Sequence, residues 1–242
     1  MPLAFWLMTP QHIACELAHQ AGYDLVIFDQ EHGTFTTADI ERLLAFCRAL
    51  GLAAYVRVNG AERIAIQQAL DQGAAGVIIP QIQNLDHARE VTAFAKYPPL
   101  GTRGMGYSRI QDYGGADEGF TGRENEQTHC YAMIETPTAL RDAEAIVALD
   151  TIDGLFLGPS DLSLTRGRGQ NTWTEDDVND ARAVASAASG SGKLFATTGA
   201  ENPTALALGK EVGAAFMTAG ADIGALDMGF RQLLAMARGE RT

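Results

Sequence analysis

Short apolar runs alternate with longer amphipathic stretches along the chain. Eight runs rich in β-branched and aromatic residues are predicted as strands, at 3–8, 25–29, 53–58, 76–82, 130–135, 154–158, 193–198 and 214–220. Apolar runs of this length are typical of strands that are buried on both faces of a parallel sheet. The alternation therefore predicts repeated strand–helix units.

The segments between the strands carry helix signals. Residues 37–51 have apolar residues at helical spacing, begin with a threonine cap and end on Gly51. Residues 137–149 have Pro137 in their first turn, and residues 174–190 open with acidic side chains that favour a helix N-terminus. Further helices are predicted at 61–73, 201–213 and 222–239.

Eight strands, each followed by a helix, in 242 residues match the size and order of an α/β protein with a (β/α)8 TIM barrel. A doubly wound sheet is the alternative, but it usually has fewer strands. No linker divides the chain, so we expect a single domain over 1–242, with its C-terminal helix available for oligomerisation. The long Gly-rich stretch 97–127 is irregular, and such loops are usually functional or mobile.

Composition narrows the class of protein. The formal net charge of −12 disfavours binding to nucleic acid, which needs clustered basic residues, and disfavours a basic membrane-surface helix. Three widely spaced cysteines without a C-x-x-C motif predict reduced thiols. The start MPLAFWLMTPQH lacks the basic region of a signal peptide, and no apolar run reaches the roughly 20 residues of a membrane span. We expect a cytoplasmic protein that binds neither nucleic acid nor membranes.

Charged side chains stand at the ends of four predicted strands, where the carboxyl rim of a TIM barrel carries its active site. They are Asp29, Glu31 and His32 after strand two, Arg57 in strand three, Glu135 after strand five and Asp161 after strand six. A charge at the end of a buried strand is unfavourable unless it is paired or bound to a metal. We therefore expect these groups to meet on one rim.

The residue types suggest a division of labour. Two carboxylates with open coordination positions suit a hard cation such as Mg²⁺ or Mn²⁺. His32 has no H-x-x-x-H partner, so it fits a proton acceptor better than a zinc ligand. Arg57 offers a permanent charge for a developing oxyanion, and the amides of 159–161 could hold a carboxylate. Plainer explanations remain: a surface or capping role for His32, a structural ion pair for Arg57 and a helix N-cap for Asp161.

Six segments in one order resemble the HpcH/HpaI aldolases: FDQEHG, YVRV, QQALDQGAAGVIIPQI, YPPLGTRG, IETPTAL and DGLFLGPSDLS. The likeness runs from about residue 22 to 165, with a weaker echo in GADIGAL. Members of this family are metal-dependent class II aldolases. The resemblance implies reversible cleavage of a 4-hydroxy-2-oxo acid into an aldehyde and pyruvate, or hydroxypyruvate, through an enolate.

The resemblance also implies roles for single residues. Glu135 and Asp161 would hold the divalent cation, which could be Mg²⁺, Mn²⁺ or Co²⁺. Arg57 would steady the charge that develops on oxygen, and His32 would remove the proton of the C4 hydroxyl. The backbone amides around Ser160 and Asp161 would bind the substrate carboxylate.

Asp71, in ALDQG, matches the acidic partner that the family gives to the catalytic histidine. Asp71 falls late on the helix after strand three, which should run away from the active rim. Either that helix is short and tilted, or the aspartate serves a neighbouring subunit. The resemblance implies a homo-oligomer, a trimer or a hexamer, which makes the second explanation possible.

One position departs from the family pattern. Two residues before the metal-binding glutamate, family members often carry a glutamine that contacts the substrate, whereas this chain has Met133. Met133 and Glu135 lie on the same face of a strand, because side chains alternate with period two. The departure leaves the identity of the substrate more open than the type of reaction.

Three other functions remain as alternatives. A class I aldolase would need a Schiff-base lysine inside the barrel, but Lys96, Lys193 and Lys210 fall at helix ends or at the entry of strand seven. A CoA-ester lyase of the related citrate/malyl-CoA lyase branch would need basic residues near its mouth. The stretch 97–127 supplies Arg103, Arg109 and Arg123. The third alternative is a barrel that binds a 2-oxo acid without catalysis.

Overall fold

Eight parallel strands pair in chain order and close into a barrel in the computed structural model, which describes residues 1–240. The strands are β1 (Leu3–Leu7), β2 (Leu25–Asp29), β3 (Ala53–Arg57), β4 (Gly76–Ile79), β5 (His129–Ile134), β6 (Gly154–Leu157), β7 (Leu194–Thr197) and β8 (Phe216–Ala221). Strand β1 pairs with both β2 and β8, so the sheet has no free edge. The predicted (β/α)8 barrel and all eight predicted strands are confirmed.

Helices follow every strand. They are α1 (His12–Ala21), α2 (Thr37–Leu50), α3 (Arg63–Asp71), α4 (Leu85–Thr92), α5 (Phe120–Gln127), α6 (Pro137–Arg141), α7 (Ala143–Val147), α8 (Pro159–Thr165), α9 (Glu175–Gly190), α10 (Pro203–Glu211) and α11 (Asp222–Arg238). Short 3-10 turns occur at Ala93–Ala95 and Arg109–Gln111. Within residues 1–240, no helix combines the length and the apolarity that crossing a membrane requires.

Three helical details differ from the sequence prediction. Helices α1 and α4 were not among the predicted segments. The predicted helix 137–149 is divided into α6 and α7 at Asp142, whose carboxylate accepts the amide of Leu85 at 3.2 Å. The stretch 97–127 is not irregular to its end, because its last eight residues form α5.

Side-chain caps define the starts of two long helices, α2 and α9, on the barrel surface. The Thr36 hydroxyl accepts the amide of Asp39 at the start of α2, one residue earlier than predicted. Thr174 and Asp177 form the same reciprocal capping box at the start of α9. These caps satisfy backbone amides that the first turn of a helix leaves without partners.

The apolar core has two layers. One lies between the strands and the surrounding helices, and the other fills the interior of the barrel. The interior layer consists of Ala4, Trp6, Leu25, Ile27, Tyr55, Ile78, Tyr131, Met133, Phe156, Ala196 and Phe216. A barrel interior packed with side chains is typical of this fold and forms the floor beneath its carboxyl rim.

Candidate active site

A buried ion pair joins the ends of two neighbouring strands. Asp29 and Arg57 are the last residues of β2 and β3 and lie opposite one another in the sheet. The Asp29 carboxylate accepts hydrogen bonds from Arg57 Nε at 2.9 Å and Arg57 Nη2 at 2.6 Å. The Trp6 indole also donates to it, at 3.1 Å. Burial raises the pKa of Asp29, but its hydrogen bonds and the Arg57 charge outweigh burial and hold the pKa below its usual value.

The turn after β2 is built on the same carboxylate. Oxygen Oδ1 of Asp29 accepts the backbone amides of Glu31 and His32, each at 3.1 Å. The His32 imidazole extends over the rim with its side chain 57% exposed, and its Nε2 lies 3.9 Å from Oε2 of Glu31. His32 is therefore held at its backbone while its ring stays accessible to a substrate.

Glu31 completes the environment of Arg57. Its Oε2 lies 3.1 Å from Arg57 Nη1, the nitrogen that Asp29 does not bind. Burial raises the pKa of Glu31 despite the nearby charges of Arg57 and His32. Asp29 and Glu31 together thus contact all three nitrogens of the guanidinium.

Glu135 follows β5 and is fully buried. Its Oε1 accepts the amide of Gln81 at 2.5 Å, whereas its Oε2 has no hydrogen-bond partner among the described residues. Gln81 has a φ of 56°, an unusual value for a residue with a side chain, and this turn after β4 directs its amide to Glu135. Burial raises the pKa of Glu135 to about 7, against the hydrogen bond from Gln81.

Asp161 lies in the first turn of α8 and is partly buried, while Ser160 beside it is exposed. The N-cap of α8 is Gly158, and no side chain caps the helix, so Asp161 is not an N-cap. Burial is the main cause that raises the pKa values of Glu31 and Glu135, and the negative charge of Asp161 adds to both.

The donor set fits a hard cation that keeps open coordination positions. Within residues 1–240, no group of three or more His, Cys, Asp or Glu side chains is arranged to hold a metal. Glu135 and Asp161 offer carboxylate oxygens, and the free Oε2 of Glu135 is a buried atom that lacks a positive partner. Mg²⁺ and Mn²⁺ commonly bind through one or two carboxylates and take their other ligands from water and substrate.

Asp71 lies away from this group. It is the last residue of α3, and β4 begins five residues later at Gly76, so Asp71 lies by the amino rim of the barrel. Its Oδ1 accepts from Nη2 of the buried Arg103 at 2.6 Å. The structure does not bring Asp71 to His32 of the same chain.

The three lysines are far from a Schiff-base arrangement. Lys96 donates to the carbonyls of Asn125 and Thr128, each at 2.7 Å, and pairs with Asp153. Lys193, just before β7, donates to the carbonyls of Leu149 and Ile152 at 2.6 Å. Lys210 is exposed on α10. None of these placements puts a lysine beside Arg57 and Glu135.

A cleft of about 730 Å³ adjoins the Asp29–Arg57 pair. Its walls include Trp6 of β1, Thr218 of β8, and Thr198 and Glu201 from the segment after β7. Trp6 separates this cleft from Asp29, to which its indole is bonded. His32, Arg57, Glu135 and Asp161 do not line the cleft, so it is a neighbour of the charged group and not its binding pocket.

Three contributing residues were not assigned from the sequence. The role of Gln81 could not be read from the sequence, because its amide reaches Glu135 only through an unusual backbone conformation. Trp6 was seen only as part of an apolar strand. Asp29 was visible in FDQEHG, and the pattern of an aspartate at the end of β2 opposite an arginine at the end of β3 was the available clue.

Known proteins with a similar sequence and structure identify the family of this chain. The family model described as HpcH/HpaI aldolase/citrate lyase matches residues 3–224. A 4-hydroxy-2-oxovalerate aldolase of Novosphingobium aromaticivorans is 38% identical over 166 residues, which cover 68% of this chain and 63% of the relative. A 2-dehydro-3,6-dideoxy-6-sulfogluconate aldolase of Pseudomonas putida is 35% identical over 166 residues, covering 69% and 65%. The chain thus spans less than two thirds of the length of either relative.

The fold of this chain resembles that of a solved family member more closely than its sequence does. The crystal structure of an HpcH/HpaI aldolase from Desulfitobacterium hafniense DCB-2 superposes with a TM-score of 0.90 at 27% identity. The superposition covers 98% of this chain and 93% of that one. With the family model matching nearly the whole chain, the protein belongs to the HpcH/HpaI aldolase/citrate lyase family.

Proposed function

We propose that this protein is a metal-dependent aldolase, a carbon–carbon lyase. It reversibly cleaves a 4-hydroxy-2-oxo acid into an aldehyde and a 2-oxo acid such as pyruvate. The observation that carries the proposal is the free, buried Oε2 of Glu135, a carboxyl group whose pKa is raised by burial and further by the charges of Glu31 and Asp161. A carboxylate in this position is stabilised by a cation.

The names of the relatives support the substrate class. Both relatives described above are aldolases by name, and one is named for 4-hydroxy-2-oxovalerate. A hydroxyl two carbons from a keto group is the pattern that an aldol cleavage requires. We therefore take 4-hydroxy-2-oxovalerate as the first substrate to test.

Glu135 and Asp161 would hold the divalent cation, as Mg²⁺, Mn²⁺ or Co²⁺. A cation bound there supplies a Lewis acid for the keto oxygen of the substrate. Backbone amides around Ser160 and Asp161 would bind the substrate carboxylate. Ser160 is exposed at the rim, so these groups are open to a ligand.

His32 and Arg57 would perform the remaining chemistry. In the cleavage direction the exposed His32 ring accepts the proton of the C4 hydroxyl, the C3–C4 bond breaks, and the aldehyde leaves. The electron pair of that bond becomes the enolate of the 2-oxo acid, which is then protonated at C3. Arg57 would stabilise the developing negative charge through Nη1, which it shares with Glu31, while Asp29 fixes the rest of the guanidinium.

Asp71 would act on His32 of another copy of the chain. Its place by the amino rim excludes contact with the carboxyl rim of its own barrel, whereas the Arg103 pair keeps its carboxylate ordered at the surface. This assignment requires a homo-oligomer, and we propose a trimer or a hexamer. Sedimentation equilibrium measures that state directly.

Helix α11 is the element that we propose for oligomerisation. Asp222 is its one buried residue among those described, and its large apolar side chains are exposed. They are Ile223, Leu226, Met228, Phe230, Leu233, Leu234 and Met236. A helix with so much exposed apolar surface is stabilised when another chain covers it.

The arginines of the stretch 97–127 disfavour a CoA-ester lyase, because each is already paired with a carboxylate. Arg103 pairs with Asp71, Arg109 with Glu41, and Arg123 with Asp117. Arginines already paired with carboxylates are poor binding groups for the phosphates of CoA.

All three cysteines are free and buried, which suits the cytoplasmic location that we propose.

The proposal is tested by following pyruvate release from 4-hydroxy-2-oxovalerate with added Mn²⁺ or Mg²⁺. We expect turnover that EDTA abolishes and fresh cation restores. Activity that survives EDTA but is lost with borohydride and pyruvate would indicate a lysine-dependent aldolase. Cation-dependent binding of pyruvate without turnover of any hydroxy-oxo acid would indicate a binding protein, and turnover of CoA esters alone would indicate the lyase.

A further inference from the structure

Met133 forms part of the wall of the candidate site. It is 4% exposed, lies near the end of β5 and precedes Glu135, the first residue after that strand, by two positions. Its neighbours in the interior of the barrel are apolar and include Ile78 and Phe156. The wall beneath Glu135 is therefore made of hydrocarbon and a thioether.

The methyl end of Met133 lies close to the free oxygen of Glu135. A Cβ atom on Gly158 would stand 2.6 Å from Met133 Cε and 2.7 Å from Glu135 Oε2. Both atoms thus pack against the same side of Gly158, close to one another. A ligand atom held next to Oε2 of Glu135 is consequently within reach of the Met133 methyl group.

The chemistry of this wall is selective. A thioether donates no hydrogen bond and accepts only weakly, and neither Ile78 nor Phe156 offers a polar side-chain atom. A hydroxyl group pressed against the wall would lose water without gaining a partner, which is unfavourable. A methyl group of the same size would lose nothing and would bury apolar surface.

We propose that Met133 determines the 2-oxo acid donor and that the site selects donors with an apolar C3 substituent over those with a hydroxyl. The inference rests on the proposed aldolase function. In a 2-oxo acid, C3 is two bonds from the keto oxygen, so a donor whose keto oxygen is bound through a cation at Glu135 would bring its C3 substituent within reach of the Met133 methyl group. The substrate class is then pyruvate and 2-oxobutyrate, and hydroxypyruvate is rejected.

Two isosteric donors separate polarity from size. 2-Oxobutyrate and hydroxypyruvate differ by a methyl and a hydroxyl on C3. We expect the wild-type enzyme with Mn²⁺ and one fixed aldehyde to favour 2-oxobutyrate by about tenfold or more in kcat/KM, in line with discrimination by apolar pockets. Equal use of the two donors, or a preference for hydroxypyruvate, would overturn the proposal.

Variants test whether Met133 is responsible. Met133→Gln offers an amide donor at nearly the same volume and should move the ratio by tenfold towards hydroxypyruvate, whereas Met133→Leu, the matched apolar control, should keep the wild-type ratio. If Met133→Gln folds poorly, Met133→Thr supplies a smaller hydroxyl in its place. If both polar variants melt at the wild-type temperature and keep the wild-type ratio of kcat/KM between the two donors, another residue selects the donor and the proposal is wrong.

A binding measurement keeps this inference separate from the proposed function. Calorimetric titration of the Mn²⁺-loaded protein with each donor, without aldehyde, needs no turnover. Selective binding of 2-oxobutyrate that Met133→Gln abolishes would support the role of Met133 even if no aldol reaction were found. Turnover with unselective binding and unselective rates would retain the aldolase and remove Met133 as its determinant.

Discussion

At the scale of single residues, Gly158 decides whether Glu135 can occupy its place. An added Cβ would lie 2.7 Å from Glu135 Oε2 and 2.9 Å from Glu135 Cβ, and both distances are too short for van der Waals contact. Since Cβ of Glu135 is fixed by the backbone, the carboxylate cannot avoid the new methyl group by rotating alone. The φ of Gly158 is −94°, so the requirement for glycine here is steric and not conformational.

Gly158→Ala is therefore expected to displace the Glu135 carboxylate. We predict a loss of about 100-fold in kcat/KM, the size of effect that a displacement near 1 Å causes in an active site. Mn²⁺ affinity, measured by calorimetry, should fall in parallel. Gly122→Ala is the control, because nothing lies within 4 Å of its added methyl group and its activity should be unchanged. Wild-type cation affinity in Gly158→Ala would contradict the role given to Glu135.

His32 allows a second test at this scale. Removal of a proton-transfer group typically costs 10²- to 10⁴-fold in rate, so we expect a fall of about that size in kcat for His32→Ala. Cation affinity should stay the same, because the ring is not among the proposed ligands. His19→Ala, at an exposed position on α1, serves as the control for loss of an imidazole. Full aldol activity in His32→Ala would remove the assignment of the base.

At the scale of elements, the strands were predictable because a buried parallel strand needs a continuous apolar run. The same logic put Asp29, Arg57, Glu135 and Asp161 on one rim, and the structure places all four at carboxyl ends of strands or just beyond them. Helix α4 escaped prediction because its sequence, LDHAREVT, is mostly polar. The hydrogen bond from Gln81 to Glu135 could not be predicted, since it depends on one left-handed residue in a short turn.

Helix α9 provides a test of stability at the element scale. Asp177 closes its capping box with Thr174 and pairs with Arg168 at 2.9 Å. Burial raises the pKa of Asp177, but the bonds from Thr174 and Arg168 outweigh burial and lower it. We expect Asp177→Asn to lower the free energy of unfolding by roughly 1–2 kcal/mol at pH 7, because the bonds from Arg168 and Thr174 lose their charged acceptor. Urea denaturation measures this difference.

The same pair predicts a pH dependence. Because the pKa of Asp177 is lower in the folded state, its stabilisation is complete above the unfolded-state pKa, near ~3.9, and is lost as the pH falls through the folded-state value. The stability difference between wild type and Asp177→Asn should therefore shrink below about pH 4. Asp176→Asn, in the same turn but exposed, should stay within about 0.5 kcal/mol of wild type throughout. A difference between wild type and Asp177→Asn that is constant with pH would contradict the ionic origin of the effect.

At the scale of the whole molecule, the proposed catalytic pair of His32 and Asp71 is divided between opposite rims of the barrel. His32 stands on the carboxyl rim after β2, and Asp71 ends α3 by the amino rim. A single sequence cannot place them together, because their contact would depend on how copies of the chain pack. The exposed apolar face of α11 is a separate feature that the proposed association of copies would cover.

Mixing inactive variants tests the shared site. His32→Ala and Asp71→Asn should each have low activity alone, since each removes one member of every pair. When the two are co-expressed, a site that takes His32 from one chain and Asp71 from its neighbour is intact with a probability of about one quarter, so about a quarter of wild-type activity should return. Co-expression of His32→Ala with Arg57→Ala is the control, because His32 and Arg57 belong to the same rim of one chain and no site can be restored. If the first mixture recovers no more activity than the control, Asp71 does not serve His32 of a neighbour. Glu31, whose Oε2 lies 3.9 Å from His32 Nε2, would then be the next candidate for the acidic partner of His32.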